Sequence, residues 1–243
     1  MSVSIAAETL DRPRLPIAAD DASGRPYAHP YTDACAAIVD RAEHVVIGLS
    51  PFNGYFSAIA IQRMIAWGCR HFRKVDVLLP GYEAIYTLTA AGVAPIEATR
   101  KLRRELLRLR NTSLRSLQDH DVEQPQQRIR SWTRLLENRS YLALRQQVRR
   151  SYHEDFSVRQ ACRNAAINAV EGAMGRRPDE RQLAQAVHYP LAELPFFVDS
   201  PAIYGVRSSV FAYPRPIALV RSLSIGSDAA LARTDGQGFV SFE

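Results

Sequence analysis

Ser50 is the residue whose position most favours covalent chemistry. It follows the short apolar run at 44–48 (His-Val-Val-Ile-Gly), whose β-branched residues predict a buried strand. Pro51 and Gly54 predict a turn after it, and from Ser57 onward the apolar residues recur at helical spacing. The serine is thereby predicted at the carboxyl end of a central strand, where open α/β sheets bind their ligands. It is a candidate nucleophile for acyl transfer, with backbone amides of the following loop and helix facing the carbonyl oxygen that becomes charged.

The same serine also has an ordinary structural explanation, because serine favours turns and helix caps. The hydrolase pattern G-x-S-x-G is not matched, since Phe52 stands in place of the second glycine. No His and acid pair follows in a recognisable hydrolase pattern. The nucleophile hypothesis therefore needs support from elsewhere in the chain.

Tyr189 and Glu193 are a second candidate pair. They lie four residues apart in a predicted helix from Glu180 to Leu194, which puts both side chains on one face. Pro190, between them, is expected to kink this helix or displace a turn.

Composition bounds the class of protein. The chain has 243 residues, enough for one sizeable α/β domain, and its 47% apolar and 23% charged residues are ordinary for a globular protein. The net charge of +6 and the pI of about 9.5 favour a polyanionic partner. Three scattered cysteines and six unpaired histidines show no metal or redox spacing, so we expect a reduced, cytoplasmic protein without a metal site. No signal-peptide or membrane-spanning run is present, so we expect no membrane partner.

The elements around Ser50 form a predicted βαβ unit. The strand at 44–48, a helix through Trp67 and a strand at Lys74–Leu79 imply a parallel sheet with a right-handed crossover. No Gly-rich dinucleotide or P-loop motif accompanies it. The other predicted elements are helices at Thr32–Ala42, Glu83–Ala91, Asn138–Tyr152 (with Leu142, Leu144 and Val148 buried) and Phe156–Met174, and extended runs at Gln127–Thr133, Ser208–Tyr213 and Ile217–Val220.

The predicted domain organisation is simple. Residues 1–30 form a loosely ordered lead-in rich in proline, 31–225 form a single catalytic domain, and 226–243 form a flexible tail of small and polar residues.

A strongly basic helix is predicted from Pro95 to about Leu117. Its apolar wedge lies nearly opposite a stripe of positive charge made by Arg100, Lys101, Arg104, Arg108 and Arg115. A solvated face is the ordinary explanation of such a stripe. However, the acids Glu97 and Glu105 are too few to neutralise it by i,i+4 pairing. Arginine forks suit phosphate, and the lack of interleaved aromatics favours contact with the backbone of a folded nucleic acid.

Three blocks of sequence resemble the cyclodipeptide synthase family. They are residues 48–56 (GLSPFNGYF), 189–197 (YPLAELPFF) and 208–214 (SSVFAYP), with the basic helix between the first and the second, as in that family. The resemblance implies an α/β, Rossmann-like parallel-sheet domain with surrounding helices, similar to the catalytic domain of class I aminoacyl-tRNA synthetases. The ATP-binding signatures of those synthetases are absent from this chain.

The resemblance also implies an activity. Ser50 would accept an aminoacyl group from one aminoacyl-tRNA, a second aminoacyl-tRNA would extend it to a dipeptidyl-enzyme, and cyclisation would release a 2,5-diketopiperazine. Two aminoacyl-tRNAs would be the substrates, and no metal, ATP or other cofactor would be needed. The oligomeric state is left open by the sequence, and we take a monomer as the default. An aminoacyl ester is already activated, so the serine needs positioning more than a strong base.

Residue roles follow from the same resemblance. Glu193 and Tyr189 would hold the α-ammonium group, Tyr213 would pass or receive a proton, and Asn53 would orient groups around Ser50. The substrate-binding residues implied are Val46, Gly48, Leu78 and Pro214. The tRNA-binding residues implied are Arg100, Lys101, Arg103, Arg104 and Arg108.

Pro214 follows Tyr213 where one subgroup of the family has histidine, so the chain is similar to the proline-type subgroup. Asn53 is nevertheless typical of the histidine-type subgroup. The two amino acids are not specified by the sequence, and the basic balance leaves glutamate open as one of them. The alternatives are a non-catalytic tRNA- or RNA-binding protein with a synthetase-like fold, and a serine acyltransferase or hydrolase acting on a small ester.

Overall fold

A six-stranded, mostly parallel sheet runs through residues 28–224 and 231–242, which are the residues that this computed structural model describes. Its strands are β1 (His29–Pro30), β2 (His44–Gly48), β3 (Lys74–Leu79), β4 (Ile129–Ser131), β5 (Ser209–Tyr213) and β6 (Gln237–Ser241). They lie in the order β1-β6-β5-β2-β3-β4, and only β1 with β6 is antiparallel. The predicted α/β class and the parallel β2–β3 unit are confirmed.

Helices cover both faces of the sheet. They are α1 (Asp33–Asp40), α2 (Ala58–His71), α3 (Ala84–Ala90), α4 (Pro95–Asp119), α5 (Pro125–Arg128), a 3₁₀ helix (Trp132–Glu137), α6 (Arg139–Glu154), α7 (Phe156–Met174), α8 (Glu180–Ala186), α9 (His188–Tyr204) and α10 (Ala218–Ser224). Most begin and end within a few residues of the predicted bounds. None within the described ranges is long and apolar enough to pass through a bilayer.

Side-chain alternation along β2 divides the core in two. Val45 and Ile47 face a cluster built with α2 and α4. Val46 faces a second cluster built with α7 and α9, to which Leu78 and Phe211 also belong. The second face is the one on which α9 lies, and it carries the side chains predicted to form the site.

The predicted flexible tail is wrong over its last part. β6 pairs with β5 on one side and β1 on the other, and all of its residues are buried. Gly238 brings this strand against α1, where an added Cβ would lie 3.1 Å from a methyl carbon of Ile38. Gly238 thus permits close packing here, and pairing on both sides makes this segment a strand although small and polar residues surround it.

The predicted lead-in is wrong at its end for the same reason, because His29 and Pro30 form β1. The remainder of both termini, residues 1–27, 225–230 and 243, lies outside the described residues.

Three other predicted elements differ. The run at Ile217–Val220 begins helix α10, not a strand, and the strand predicted at Gln127–Thr133 is limited to β4 before the 3₁₀ helix begins. Leu142, predicted to be buried, is 38% exposed, because the neighbouring Tyr141 takes the inward position.

The helix predicted from Glu180 to Leu194 is two helices, α8 and α9, separated at Val187. Pro190 falls in the first turn of α9, where no intrahelical partner for its missing N–H is needed. The helix then continues to Tyr204 across a non-helical residue, Asp199.

Candidate active site

Ser50 lies two residues beyond the end of β2, at the carboxyl edge of the sheet as predicted. The Leu49 N–H donates to the Leu78 carbonyl over 3.0 Å, which extends the strand ladder almost to the serine. Ser50 itself is half-buried, whereas the residues of β2 are buried. The strand ladder therefore ends one residue before the serine, which is itself partly exposed.

The loop after Ser50 is closed by Asn53. Its side-chain oxygen accepts from the Tyr55 N–H at 3.1 Å, and its backbone carbonyl accepts from the Phe56 N–H at 3.1 Å. Phe52 adopts a positive φ of 61°, a strained conformation for a residue with a side chain. Phe56 is 1% exposed and anchors the far end of the loop in the core.

Tyr189 approaches the serine from α9. Its hydroxyl oxygen lies 3.3 Å from the Ser50 Oγ, and its ring packs on Trp132 with centroids 4.9 Å apart. Burial, and then the nearby Glu193, hold the pKa of Tyr189 well above its usual range. The phenol is therefore neutral and able to exchange a proton with the serine hydroxyl.

Tyr213, at the end of β5, approaches from the other side. The Asn53 side-chain N–H donates to its hydroxyl over 3.5 Å, and its ring meets Phe56 edge-on with centroids 5.3 Å apart. Burial raises the pKa of Tyr213 far above its usual range, and Glu193 adds to this. Hydrogen bonds with Ser50 and Asn53 oppose the shift only partly.

Glu193 lies one turn beyond Tyr189 on the same face of α9. Within the described part of the chain, its carboxyl forms no hydrogen bond or ion pair. Burial raises the pKa of Glu193 to about 8. A desolvated carboxyl without a cation is one that an incoming ammonium group would stabilise.

Of the predicted substrate-binding residues, Val46, Gly48 and Leu78 come together on the face covered by α9. Val46 and Leu78 belong to one apolar cluster with Phe211, and a Cβ on Gly48 would lie 2.3 Å from the Phe211 ring. Pro214 lies apart from them, in a surface pocket that Tyr55 also lines.

Sequence reasoning missed Trp132 and Phe211. Phe211 had a signal, because it alternates with Tyr213 along the same strand. Trp132 had none, because its contact with Tyr189 is a tertiary one.

The basic helix α4 is only partly as predicted. Arg100, Arg103 and Arg104 are exposed, but Lys101 lies 3.9 Å from Glu97 and Arg108 is paired with Glu105. The expectation that the acids leave the stripe unneutralised is therefore wrong at these two positions.

Arg108 is engaged within the protein. Its guanidinium donates to the two oxygens of Glu105 at 2.7 and 2.8 Å and to the Phe56 carbonyl at 3.1 Å. The Arg108 hydrogen bond is the main reason that the pKa of Glu105 lies below its usual range. The pair thus connects α4 to the loop that follows Ser50.

No three His, Cys, Asp or Glu side chains come together within the described residues. What does come together is a serine with two neutral phenols and a carboxyl suited to an ammonium group, beside a basic helix. Fold and site together are those expected of an enzyme that transfers aminoacyl groups.

The chain belongs to the cyclodipeptide synthase family, whose model matches residues 27–243. It is 35% identical over 219 residues to the cyclo(L-leucyl-L-leucyl) synthase of Bacillus subtilis, covering 88% of this chain and 87% of that protein. The crystal structure of a cyclodipeptide synthase from Bacillus thermoamylovorans superposes with a TM-score of 0.84 at 31% identity, over 90% of this chain and 96% of the other.

The likeness to synthetases is one of fold. The tyrosyl-tRNA synthetase of Archaeoglobus fulgidus superposes with a TM-score of 0.54 at 12% identity, over 89% of this chain and 60% of that enzyme. The predicted family and fold class are thereby confirmed. The roles of individual residues remain predictions.

Proposed function

We propose that this protein joins the aminoacyl groups of two aminoacyl-tRNAs into a 2,5-diketopiperazine through an ester on Ser50. The observation that carries the proposal is the 3.3 Å approach of the Ser50 Oγ to the Tyr189 hydroxyl, beside the unpartnered carboxyl of Glu193. This combination pairs a nucleophile with a group for its proton and a group for the substrate's amine.

In the first step, the Ser50 oxygen attacks the ester carbonyl of the first aminoacyl-tRNA. The bond to the ribose oxygen breaks, and the proton lost by the serine ends on that ribose oxygen. Tyr189 is within reach of the serine proton and relays it. The product of this step is an aminoacyl-Ser50 ester and a free tRNA.

Before the second step, the α-ammonium group of aminoacyl-Ser50 gives one proton to the Glu193 carboxylate. The neutral amine then attacks the ester carbonyl of the second aminoacyl-tRNA. The second tRNA leaves with a proton on its ribose oxygen, and a dipeptidyl ester remains on Ser50. The free amine of the dipeptide then attacks the Ser50 ester carbonyl. The serine oxygen departs, is reprotonated, and the cyclic dipeptide is released, with Tyr213 serving the proton transfers around the serine.

Glu193 holds the α-ammonium group of the first aminoacyl residue, with Tyr189 sharing the task. Its pKa of about 8 describes the empty site. An ammonium partner favours the carboxylate, so binding lowers this pKa and a charge-assisted pair forms. Asn53 fixes Tyr213 and the loop, which keeps the attacking hydroxyl oriented.

The first amino acid is apolar in this proposal. Val46, Leu78 and Phe211 make the surroundings apolar. Burying even a neutral polar group without a partner costs about 2–7 kcal/mol, and an unpaired carboxylate costs far more. Glutamate is therefore disfavoured at this position. The matched relative from Bacillus subtilis is named for leucine, which agrees in class.

Arg100, Lys101, Arg103 and Arg104 contact tRNA phosphates from the exposed face of α4, with Arg108 contributing chiefly through the loop. The enzyme acts as a monomer in the cytoplasm, where aminoacyl-tRNAs are found, and needs no metal. The proline at 214 leaves proton transfer to the tyrosines, as expected for the proline-type subgroup.

The decisive experiment is incubation with aminoacyl-tRNAs carrying labelled amino acids, followed by mass spectrometry of released products. Labelled diketopiperazine is the expected result, with leucyl-tRNA among the active donors. Retention of tRNA without any cyclic product would indicate a non-catalytic RNA-binding protein. Release of free amino acid from small esters without tRNA would indicate a hydrolase.

A further inference from the structure

A pocket of about 520 Å³ lies against α4 at the carboxyl ends of β3 and β4. Leu79, Leu106 and Ile129 give it an apolar floor, and Tyr82, 58% exposed, stands at its edge. Neither Ser50 nor its hydrogen-bond partners line it. It is therefore a separate concavity at the same edge of the sheet.

Four arginines line this pocket and no acidic residue does: they are Arg103, Arg110, Arg130 and Arg134. Arg130 is engaged on the α9 side of the sheet, with its Nε 3.6 Å from an oxygen of Asp76 and its guanidinium 5.6 Å from the centre of the Tyr204 ring. Among the described residues, the other three form no ion pair. Like charges gathered in a concavity repel, and an anion would relieve that repulsion.

The pocket and the Ser50 loop lie on opposite flanks of the same turns of α4. Glu105 and Arg108 contact the loop, whereas Leu106 and Arg110 line the pocket. A helix with its side chains is about 10 Å across, so the two sites are separated by about that distance. This places the pocket within reach of the RNA chain that bears an ester at Ser50.

A groove continues from the pocket along the exposed side of α4. It shares Arg103 and Leu107 with the pocket and adds Arg100 and Arg104. The cationic surface is thus continuous from the outer face of the helix into the concavity.

We propose that this arginine pocket, through the guanidinium groups of Arg103, Arg110 and Arg134, binds a phosphorylated ribonucleoside, namely the last nucleotides of the aminoacyl-tRNA 3′ end. Guanidinium forks donate two parallel hydrogen bonds to phosphate oxygens, and the apolar floor with Tyr82 accepts a base. The assignment rests on the proposed function for the identity of the RNA. A free mononucleotide offers the same chemistry, so the test separates the two sources.

The test compares two RNA probes with three proteins. One probe is a short RNA hairpin with an unpaired 3′ overhang, and the other is the same hairpin cut to a blunt end. The proteins are the wild type, the pocket variant Arg110→Gln/Arg134→Gln, and the control variant Arg41→Gln/Arg70→Gln. The control removes the same charge from exposed positions before β2 and β3, at the opposite edge of the sheet.

We expect the wild type to bind the overhang hairpin about tenfold more tightly than the blunt one, which corresponds to about 1.4 kcal/mol. The pocket variant should lose this preference, and the salt dependence of its overhang binding should fall by about 0.7 per lost phosphate contact. The control should keep the preference. Thermal melting of each variant establishes that it is folded before its affinity is interpreted.

Two results would overturn the assignment. One is a folded pocket variant that retains the overhang preference. The other concerns AMP. If AMP protects the wild type but not the pocket variant from thermal unfolding, and the overhang brings no gain in affinity, the occupant of the pocket is a free nucleotide. Cyclic dipeptide formation is measured separately: an overhang preference without product contradicts the proposed activity and leaves the pocket assignment standing.

Discussion

Arg108 donates a hydrogen bond of 3.1 Å to the backbone carbonyl of Phe56, 52 residues away in the chain. The same guanidinium holds Glu105, whose pKa is also lowered by the backbone of Phe52. Both ends of the loop that follows Ser50 are therefore connected to α4. The helix that presents positive charge outward also holds the loop after Ser50 in place.

Arg108→Gln is expected to lower kcat more than it weakens tRNA binding. The loop loses the connection to α4 at its Phe56 end, and misplacement of a nucleophile by about 1 Å can cost on the order of 100-fold in rate. Arg104→Gln is the matched comparison, because Arg104 is exposed and forms no ion pair among the described residues. It should instead raise KM and reduce the salt slope by about 0.9.

Steady-state kinetics at several salt concentrations distinguish the two variants. If Arg108→Gln weakened tRNA binding and left kcat intact, Arg108 would be a phosphate contact and the loop would not depend on it.

Ser50→Ala should abolish both cyclic product and covalent enzyme while leaving tRNA affinity nearly unchanged. Tyr189→Phe keeps the ring on Trp132 but removes the hydroxyl 3.3 Å from the serine, so acylation should slow by about 100-fold or more. Single-turnover formation of the acyl-enzyme, followed by intact-protein mass spectrometry, measures both effects. Tyr86→Phe, on the exposed side of α3, is the control, and a similar loss in that variant would remove the special role of Tyr189.

Glu193 gives the empty enzyme a stability that depends on pH. Its pKa rises from an ordinary value of 4.5 to about 8 on folding, so the folded state binds the proton more tightly. The associated stability is fully present below about pH 4.5 and is lost as the pH rises through about 8. Glu193→Gln remains neutral throughout and does not lose it.

The Tm of Glu193→Gln relative to the wild type should therefore increase between pH 5 and pH 8, by about 2–4 °C for each kcal/mol involved. Thermal melting of both proteins across this range measures the difference. A constant difference would mean that Glu193 is ionised in the empty site at all these values. Activity should fall in the same variant, because an amide cannot form a charge-assisted pair with the ammonium group.

The site elements could be predicted because each has a local signal. The β-branched run before Ser50, the turn residues after it and the four-residue spacing of Tyr189 and Glu193 are all readable along the chain. β6 was missed although Phe239 and Val240 favour a strand, because the small and polar residues around them are typical of a tail and the pairing on both sides is a tertiary feature. The hydrogen bond from Arg108 to the Phe56 carbonyl could not be predicted either. The spacing of Glu105 and Arg108 along the helix indicates that they can pair, but the contact with Phe56 depends on how the loop packs on α4.

A substitution at Gly48 tests whether close packing shapes the pocket proposed for the first amino acid. An added Cβ would lie 2.3 Å from the Phe211 Cζ and 2.6 Å from its Cε1, so Gly48→Ala forces the buried ring to move. Overpacking of this kind costs about 1–3 kcal/mol, and the Tm should fall by about 2–4 °C for each kcal/mol.

Phe211→Leu shortens the side chain with which the added methyl group would clash. This substitution also destabilises the protein by itself, because it buries less apolar surface. The double variant Gly48→Ala/Phe211→Leu should therefore be more stable than the sum of the two single effects predicts, with a coupling of about 0.5–3 kcal/mol. Thermal or denaturant unfolding of the four proteins measures this cycle. Additive effects would show that the ring accommodates the methyl group without strain, and the glycine would then have no steric role in the pocket.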